Sequence, residues 1–193
     1  MSCESGDIEI VETILYFVRH AESVYVEGKE RTRGLSEQGM KDSLKIKDIL
    51  RSEYIDVFVS SPYERSIETI RLLANEQCKE IHIEEDLRER DIGDFTPATF
   101  LKAKRDVMVD FNKSFPGGES SIVAQKRAIE VINRFIGTGK KIGIGTHGDI
   151  MTLMLNYFDK QYEFTFWEST TMPDIYKVRF EGNKLIEVTR MWE

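Results

Sequence analysis

Arginine and histidine side chains follow three short apolar runs of this sequence, at the point where each run ends or soon after it. Arg19 and His20 follow the run at 14–18, Arg65 comes soon after the run at 56–59, and His147 follows the run at 142–145. Guanidinium groups bind phosphoryl oxygens in bidentate fashion, and a cation near a protein surface attracts an anion by ~4 kcal/mol at an effective dielectric constant of 20. A neutral imidazole can attack phosphorus, and a carboxyl group can protonate a leaving alkoxide. The residue types therefore indicate an anion pocket and phosphoryl transfer without a metal ion.

An alternation of strands and helices is needed to bring these residues together. Apolar runs predict strands at 14–18, 56–59, 81–83, 142–145, 174–180 and 184–190, and amphipathic stretches predict helices at 36–52, 62–75, 119–136, 150–155 and in part of 97–113. The last two strands are joined by a hairpin signal at Glu181-Gly182-Asn183. This order predicts one α/β domain over residues 1–193, a three-layer sandwich whose mostly parallel mixed sheet is flanked by helices. Ligands bind beyond the carboxyl ends of the strands in such sheets, so we expect the arginines and histidines to meet at one edge.

The helix that carries Arg65 has a start signal in the sequence. Ser61 and Glu64 have the S-x-x-E spacing of a capping box, and Pro62 occupies the first helical position, where a missing N–H is tolerated. The pattern predicts that this helix begins at Pro62 and places Arg65 in its first turn.

Composition and charge exclude several classes of protein. The 193 residues are 40% hydrophobic and 32% charged, and a net charge of -7 argues against nucleic acid as a partner. Cys3 and Cys78 are too few for a disulfide framework and lack a C-x-x-C spacing, which argues for a reducing compartment and against structural zinc. No apolar run is long enough to span a bilayer, and the acidic N-terminus has no signal-peptide core. We therefore expect a cytoplasmic protein with no membrane partner, no metal and no cofactor.

Six motifs resemble those of the histidine phosphatase superfamily, in its phosphoglycerate mutase-like branch, and they follow the family's order. They are Phe17-Val18-Arg19-His20-Ala21, with alanine in place of the usual glycine, Leu35-Ser36-Glu37-Gln38-Gly39, Ser60-Ser61-Pro62-Tyr63-Glu64-Arg65 with Thr69, Leu87-Arg88-Glu89-Arg90-Asp91-Ile92-Gly93, Gly118-Glu119-Ser120 with Arg127, and Thr146-His147-Gly148. Each motif alone is weak, but their shared order and their placement after strands make the resemblance specific.

The resemblance implies a fold like that of phosphoglycerate mutase and a role for individual residues. His20 would be the nucleophile that forms a phosphohistidine, and Glu89 would be the general acid and later the general base. The phosphoryl oxygens would be held by Arg19, Arg65 and His147, and His147 is counted with His20 and Glu89 among the catalytic residues. The implied partner is a small phosphorylated substrate.

Two departures from the family pattern affect the activity that we expect. Val26 stands six residues after the nucleophile, where many members have asparagine, and the loop at 27–34 is shorter than usual. Arg31 or Arg33 could supply the missing phosphate contact. The chain is also short for a cofactor-dependent mutase, which favours a phosphatase over a mutase-type phosphoryl transferase. Turnover of any phosphate ester would exclude a third alternative, a non-catalytic module that binds a phosphorylated ligand on the same fold.

Other motifs and alternatives remain beside this interpretation. Asp91 or Glu119 could take the place of Glu89 as the acid, although Glu119 could also be an acidic residue in the first turn of a helix.

The glycines at 143, 145 and 148 have the G-x-G-x-x-G spacing, but no full strand precedes them, so we expect them inside a strand rather than in a nucleotide-binding loop. The segment 20–22 resembles part of a zinc deaminase motif, but no Pro-Cys-x-x-Cys completes it. The substrate and the oligomeric state are left open, and specificity is expected to come from 24–34 and 94–118.

Overall fold

The computed structural model describes residues 11–193, which form a six-stranded mixed sheet between two layers of helices. The strands are β1 (Glu12–Arg19), β2 (Val57–Ser60), β3 (Ile81–Ile83), β4 (Lys141–Thr146), β5 (Asp174–Glu181) and β6 (Lys184–Arg190). The α-helices are α1 (Glu37–Leu50), α2 (Glu64–Glu76), α3 (Pro97–Val109), α4 (Ser121–Ile132), α5 (Gly148–Phe158) and α6 (Phe164–Ser169). Cys3 and the acidic N-terminus, on which two of the expectations above depend, lie outside the described residues.

The sheet confirms the predicted α/β architecture. Its strand order is β3-β2-β4-β1-β5-β6, with β1 to β4 parallel and with β5 and β6 added antiparallel at one side. The ladder continues past the strand ends, because His20 N–H donates to Thr146 O at 2.9 Å and Ser61 N–H donates to Gly145 O at 3.0 Å. The segments that follow β1, β2 and β4 therefore meet at one edge of the sheet, as the sequence predicted.

Alternating side chains of β1 build a core on each face of the sheet. Leu15 and Phe17 pack with α4 and α5 on one face, whereas Ile14, Tyr16 and Val18 pack with α1 and α2 on the other. Side chains of a strand alternate between faces, so a strand that is buried on both faces is apolar at nearly every position. The apolar run at 14–18 has this origin.

Gly143 and Gly145 lie inside β4, as expected, and have a packing role. A Cβ at Gly143 would lie 2.8 Å from Phe58 Cδ1, and one at Gly145 would lie 2.7 Å from Ser60 Oγ. Glycine at these two positions lets side chains of β2 pack across β4. This part of the G-x-G-x-x-G spacing therefore belongs to the sheet and not to a nucleotide-binding loop.

The predicted capping box at the start of α2 is wrong. The helix begins at Glu64 and not at Pro62, with Tyr63 as its N-cap and no capping bond from a side chain. Glu64 N–H donates to Arg31 O at 2.9 Å instead of to Ser61, and Ser61 Oγ lies 2.6 Å from His147 Nε2. Ser61 Oγ thus contacts His147 and accepts from Tyr63 N–H at 3.3 Å, and it forms no capping bond with Glu64. Arg65 still lies in the first turn of α2.

Two other helices are shorter than predicted. The helix predicted at 119–136 is α4, Ser121–Ile132, because Arg134 and Phe135 donate their N–H groups three residues back and tighten the chain into turns. Its apolar periodicity extends further because Phe135 and Ile136 still pack on the core. The helix predicted at 36–52 is α1, which ends at Leu50 and is followed by a 3-10 turn over Arg51–Glu53.

The predicted hairpin at 181–183 is present, with Gly182 at a φ of +56° between β5 and β6. None of the helices in residues 11–193 combines the length and the apolar character that crossing a bilayer would need.

Candidate active site

His20 is a neutral imidazole, the form of histidine that can act as a nucleophile. It follows β1 directly, is 7% exposed and lines a cavity of about 410 Å³. Its Nδ1 lies 2.8 Å from Ala21 O, and because a carbonyl oxygen only accepts, we assign the ring proton to Nδ1 and a free lone pair to Nε2. Burial and the nearby charges of Arg65 and Arg19 lower the pKa of His20 to about 3, so the ring is neutral at pH 7.

His147 lies beside His20 as a second neutral imidazole. The two ring centroids are 5.1 Å apart, and His147 is fully buried at the N-cap of α5. Its Nε2 lies 2.6 Å from Ser61 Oγ. Ser61 Oγ accepts from Tyr63 N–H at 3.3 Å, and we assign the Ser61 hydroxyl proton to the bond with Nε2. Burial lowers the pKa of His147 well below its usual value. A neutral ring that accepts at Nε2 carries its proton at Nδ1 and can donate it to an anion.

Arg19 and Arg65 line the same cavity and are each held by one neighbouring residue. Arg19 Nη1 donates to the backbone oxygen of Thr170 at 3.2 Å and to its hydroxyl oxygen. Arg65 Nη1 donates to Glu30 O, and Arg65 Nη2 pairs with Glu30 Oε1, both at 2.7 Å. Burial lowers the pKa of both guanidinium groups, although arginine stays protonated in proteins. Both are therefore fixed cations beside the two imidazoles.

Three buried donors of this group have no hydrogen-bond partner among residues 11–193. They are Arg19 Nε, Arg65 Nε and His147 Nδ1. Buried polar atoms are nearly always paired in folded proteins, so each unpaired one needs an explanation. Three such donors on residues around one imidazole suit an anionic ligand with several oxygens.

Glu89 is held at the N-terminus of α5. Its Oε1 accepts from Arg90 N–H and Ile150 N–H, each at 3.0 Å, and its Oε2 accepts from Asp149 N–H at 3.1 Å. Asp149 and Ile150 lie in the first helical turn, where backbone N–H groups have no partner within the helix. The carboxyl group lines the cavity that also contains His20.

Arg127 fixes the segment that precedes Glu89. Its Nη1 donates to Asp86 O and, at 2.9 Å, to Arg88 O. Glu119 accepts from Arg127 Nε and Nη2, each at 2.8 Å, and it lies ahead of α4 rather than in its first turn. The reading of Glu119 as an acidic residue of the first helical turn is therefore wrong. The ion pair of Glu119 with Arg127 thus holds the segment 86–91, which carries Glu89 and is called the Glu89 loop.

A buried charge cluster lies behind Glu89. Arg90 binds Asp149 through Nε at 2.7 Å and through Nη2 at 3.1 Å, and Lys104 Nζ contacts the same carboxylate. Burial alone would raise the pKa of Asp149, but the charges of Lys104 and Arg90 outweigh it and hold this pKa below its usual value. The cluster ties the Glu89 loop to α3 and α5. The sequence alone did not reveal it, because Arg90 and Asp149 are separated by 59 positions.

The two arginines considered as replacements for the missing asparagine occupy different places. Arg33 lines the cavity, with a side chain that is 13% exposed. Arg31 does not line it and forms a surface ion pair with Glu85, with 2.6 Å between Nη2 and Oε2. Arg33 is thus the one that the fold brings to His20, and Val26 is exposed.

Other residues complete the cavity, and most of them carry no signal in the sequence. They include Glu30, Phe100, Lys104, Trp167 and Met172, and Asp91, the alternative acid, also lines the cavity. Phe100 and Lys104 come from α3, within the stretch expected to determine specificity, whereas Trp167 and Met172 come from a region that the sequence did not single out. Among residues 11–193, no group of three or more histidine, cysteine, aspartate or glutamate side chains is placed to hold a metal ion. His82, to which no function was assigned, lies exposed on β3.

Comparisons with known proteins agree with this geometry. The family model of the histidine phosphatase superfamily (branch 1) matches residues 15–191. Comparison with curated protein sequences gives no match.

Solved structures of similar fold include phosphatases and a mutase. A mycobacterial glucosyl-3-phosphoglycerate phosphatase has a TM-score of 0.74 and 18% identity, and the match covers 94% of this chain and 98% of that one. A phosphoserine phosphatase from Entamoeba histolytica has a TM-score of 0.75 and 17% identity, with 93% and 96% covered. A phosphoglycerate mutase from Bacillus anthracis str. Sterne has a TM-score of 0.72 and 15% identity, with 92% of each chain covered. The family model spans nearly the whole chain, and the protein therefore belongs to branch 1 of the histidine phosphatase superfamily.

Proposed function

We propose that this protein is a metal-independent phosphatase that hydrolyses a phosphomonoester through a phosphohistidine at His20. The observation that supports the proposal is a set of three buried atoms without a hydrogen-bond partner: Arg19 Nε and Arg65 Nε on residues that line the cavity with His20, and Nδ1 of His147, whose ring lies against that of His20. Positive charge and N–H donors that are already in place stabilise the charge of a phosphoryl group without further reorganisation.

The proposed reaction has two steps. Glu89 gives a proton in the first step and takes one back in the second. His20 Nε2 attacks phosphorus, the ester P–O bond breaks, and the protonated carboxyl group of Glu89 gives its proton to the leaving alkoxide. The Glu89 carboxylate then takes a proton from a water molecule, which attacks the phosphohistidine and releases phosphate and neutral His20.

We take hydrolysis as the reaction and a mutase reaction as the alternative, since the similar solved structures include two phosphatases and one mutase. A mutase would return the phosphoryl group to the same substrate, whereas a phosphatase gives it to water. Release of inorganic phosphate from a panel of phosphorylated metabolites, phosphopeptides and nucleotides separates the two. Rearrangement of the substrate without phosphate release would favour the mutase, and the absence of any turnover would favour a binding module.

The nucleophile is tested by trapping the intermediate. Radioactive substrate should leave an acid-labile, base-stable label on the wild-type protein, because phosphohistidine has this stability. His20→Ala should show neither label nor turnover, whereas His82→Ala, which changes the exposed histidine of β3, should keep both.

EDTA should leave the rate of hydrolysis unchanged, because arginines and histidines supply the cations and the hydrogen-bond donors. Appreciable activity in His20→Ala, or loss of activity in EDTA that one divalent ion restores, would contradict the proposal.

A further inference from the structure

The carboxylate of Glu30 forms ion pairs with two arginines of the candidate active site, Arg65 and Arg33. Its Oε1 lies 2.7 Å from Arg65 Nη2, and its backbone oxygen accepts from Arg65 Nη1 at 2.7 Å. Its Oε2 lies 3.1 Å from Arg33 Nε. One carboxylate therefore bridges two guanidinium groups that line the cavity beside His20.

The three side chains differ in burial, and the difference shows which one can move. The Arg65 side chain is 2% exposed and that of Arg33 is 13% exposed, whereas that of Glu30 is 49% exposed. Two poorly solvated cations repel one another unless an anion lies between them. Glu30 is such an anion, and because half of its side chain is in contact with water it can leave at little desolvation cost.

Arg33 is well placed to contact a ligand at His20. It lines the cavity with His20, and its charge adds a small contribution to burial, the main cause that lowers the pKa of His20 and of His147. Its Nη1 donates to Ser23 Oγ, which fixes the guanidinium on the segment that follows His20. Val26 offers no polar atom for a phosphate, and Arg33 reaches the cavity from a later position of the same loop.

We propose that Arg33 and Arg65 together form an anion site for the phosphoryl group of the substrate, and that Glu30 is an internal competitor which the phosphoryl group displaces. This inference rests on the proposed function, since it takes the substrate to be a phosphomonoester. A phosphoryl dianion carries more charge and more acceptor oxygens than a carboxylate, so it can replace Glu30 on both arginines. Glu30 thereby selects for dianionic ligands, and its return to the arginines favours the release of phosphate.

Binding of inorganic phosphate to the full chain tests the competitor without requiring turnover. In isothermal titration calorimetry, Glu30→Gln should bind phosphate about fivefold more tightly than the wild type, which is the scale of a partly exposed ion pair. Glu27→Gln is the matched control, because Glu27 is an exposed residue of the same loop with no ion pair among residues 11–193. It should leave the affinity unchanged.

The same titration tests Arg33. Arg33→Gln should bind phosphate about tenfold more weakly, because a charge-assisted hydrogen-bonding group is lost. Arg31→Gln removes the same charge from a surface pair outside the cavity, and it should bind phosphate like the wild type.

Each outcome decides between the proposal and an alternative. Unchanged or weaker binding in Glu30→Gln would mean that Glu30 only positions the arginines, and equal tightening in Glu27→Gln would mean a general effect of charge. Unchanged binding in Arg33→Gln would remove Arg33 from the site. If Glu30→Gln does not fold, Glu30→Ala is judged by the same criterion. Variants that bind phosphate as expected but hydrolyse no ester would support the anion site and contradict the proposed function.

Discussion

At the scale of single residues, Glu89 has the most demanding role in the proposed mechanism, because it must give a proton in one step and take one in the next. Glu89→Gln keeps the shape of the side chain but removes the proton that it donates. An alkyl phosphate, whose alkoxide needs a proton, should lose about 10²- to 10⁴-fold in rate, which is the usual contribution of general acid catalysis. A nitrophenyl phosphate should lose far less in the phosphorylation step, because its leaving group departs without a proton.

The comparison between the two leaving groups is read from single-turnover kinetics of the wild type and of Glu89→Gln. Asp91→Gln serves as the control for the neighbouring carboxylate that the sequence left as an alternative. If both esters slow by the same factor in Glu89→Gln, Glu89 is not the acid of the first step, and a selective loss in Asp91→Gln would transfer the role to Asp91.

Arg65 allows a second test at this scale, because lysine keeps its positive charge but lacks the planar guanidinium group that binds two oxygens at once. Arg65→Lys keeps the charge but loses Nε and the planar fork, so the affinity for inorganic phosphate should fall about tenfold. Arg71→Lys makes the same change on the surface of the same helix, where Arg71 pairs with Glu64 at 2.7 Å, and should change nothing. Equal phosphate affinities for Arg65→Lys and the wild type would contradict a bidentate role.

At the scale of elements, Gly39 lets α1 approach the segment that carries His20. A Cβ at this position would lie 2.1 Å from Glu22 O, a backbone atom that cannot move aside alone. Ser36 caps the same helix by accepting from Gly39 N–H at 3.0 Å, and Ser36 N–H donates to Glu22 O. The Leu35-Ser36-Glu37-Gln38-Gly39 motif thus joins α1 to the chain just after the nucleophile.

Gly39→Ala should therefore lower the free energy of unfolding by about 1–3 kcal/mol, the usual effect of overpacking. It should also reduce turnover, because the segment after His20 must shift. Gln38→Ala changes the neighbouring exposed position of α1 and should have little effect on either quantity. Urea unfolding measures the first effect and phosphate release the second, and a Gly39→Ala protein as stable as the wild type would contradict the proposed contact.

The elements also show which parts of the molecule could be predicted from sequence. The alternation of strands and helices and the meeting of Arg19, His20, Arg65 and His147 followed from apolar runs and from the rule that ligands bind beyond the carboxyl ends of parallel strands, which meet at one edge. The start of α2 did not, because Ser61 contacts His147 across the sheet, and no local pattern contains that contact. Glu30 was missed for the same reason, since its partner Arg65 lies 35 positions away.

At the scale of the whole molecule, the charge of the site opposes the charge of the chain. The net charge is -7, yet Arg19, Arg33 and Arg65 lie together around two neutral histidines. Carboxylate and backbone oxygens hold these cations in place, so three positive charges lie at one edge of the sheet. Under the proposed function, we expect such a local cationic site to take a small phosphorylated ligand and not a polyanion such as nucleic acid, which needs an extended basic surface.

Burial of neutral His20 and His147 also makes stability depend on pH in a predictable direction. Both have a folded-state pKa below the unfolded value of about 6.5, so the unfolded chain binds more protons and the free energy of unfolding falls as the pH falls below that value. Between pH 7 and pH 5, buried neutral His20 should lower the free energy of unfolding by roughly 2 kcal/mol, and His147 should lower it further in the same direction. His20→Gln should abolish its share of this loss, whereas His82→Gln, at an exposed position, should leave the pH dependence as in the wild type. Urea unfolding in a phosphate-free buffer at both pH values measures the difference, and equal losses in His20→Gln and the wild type would show that His20 is not buried as a neutral ring.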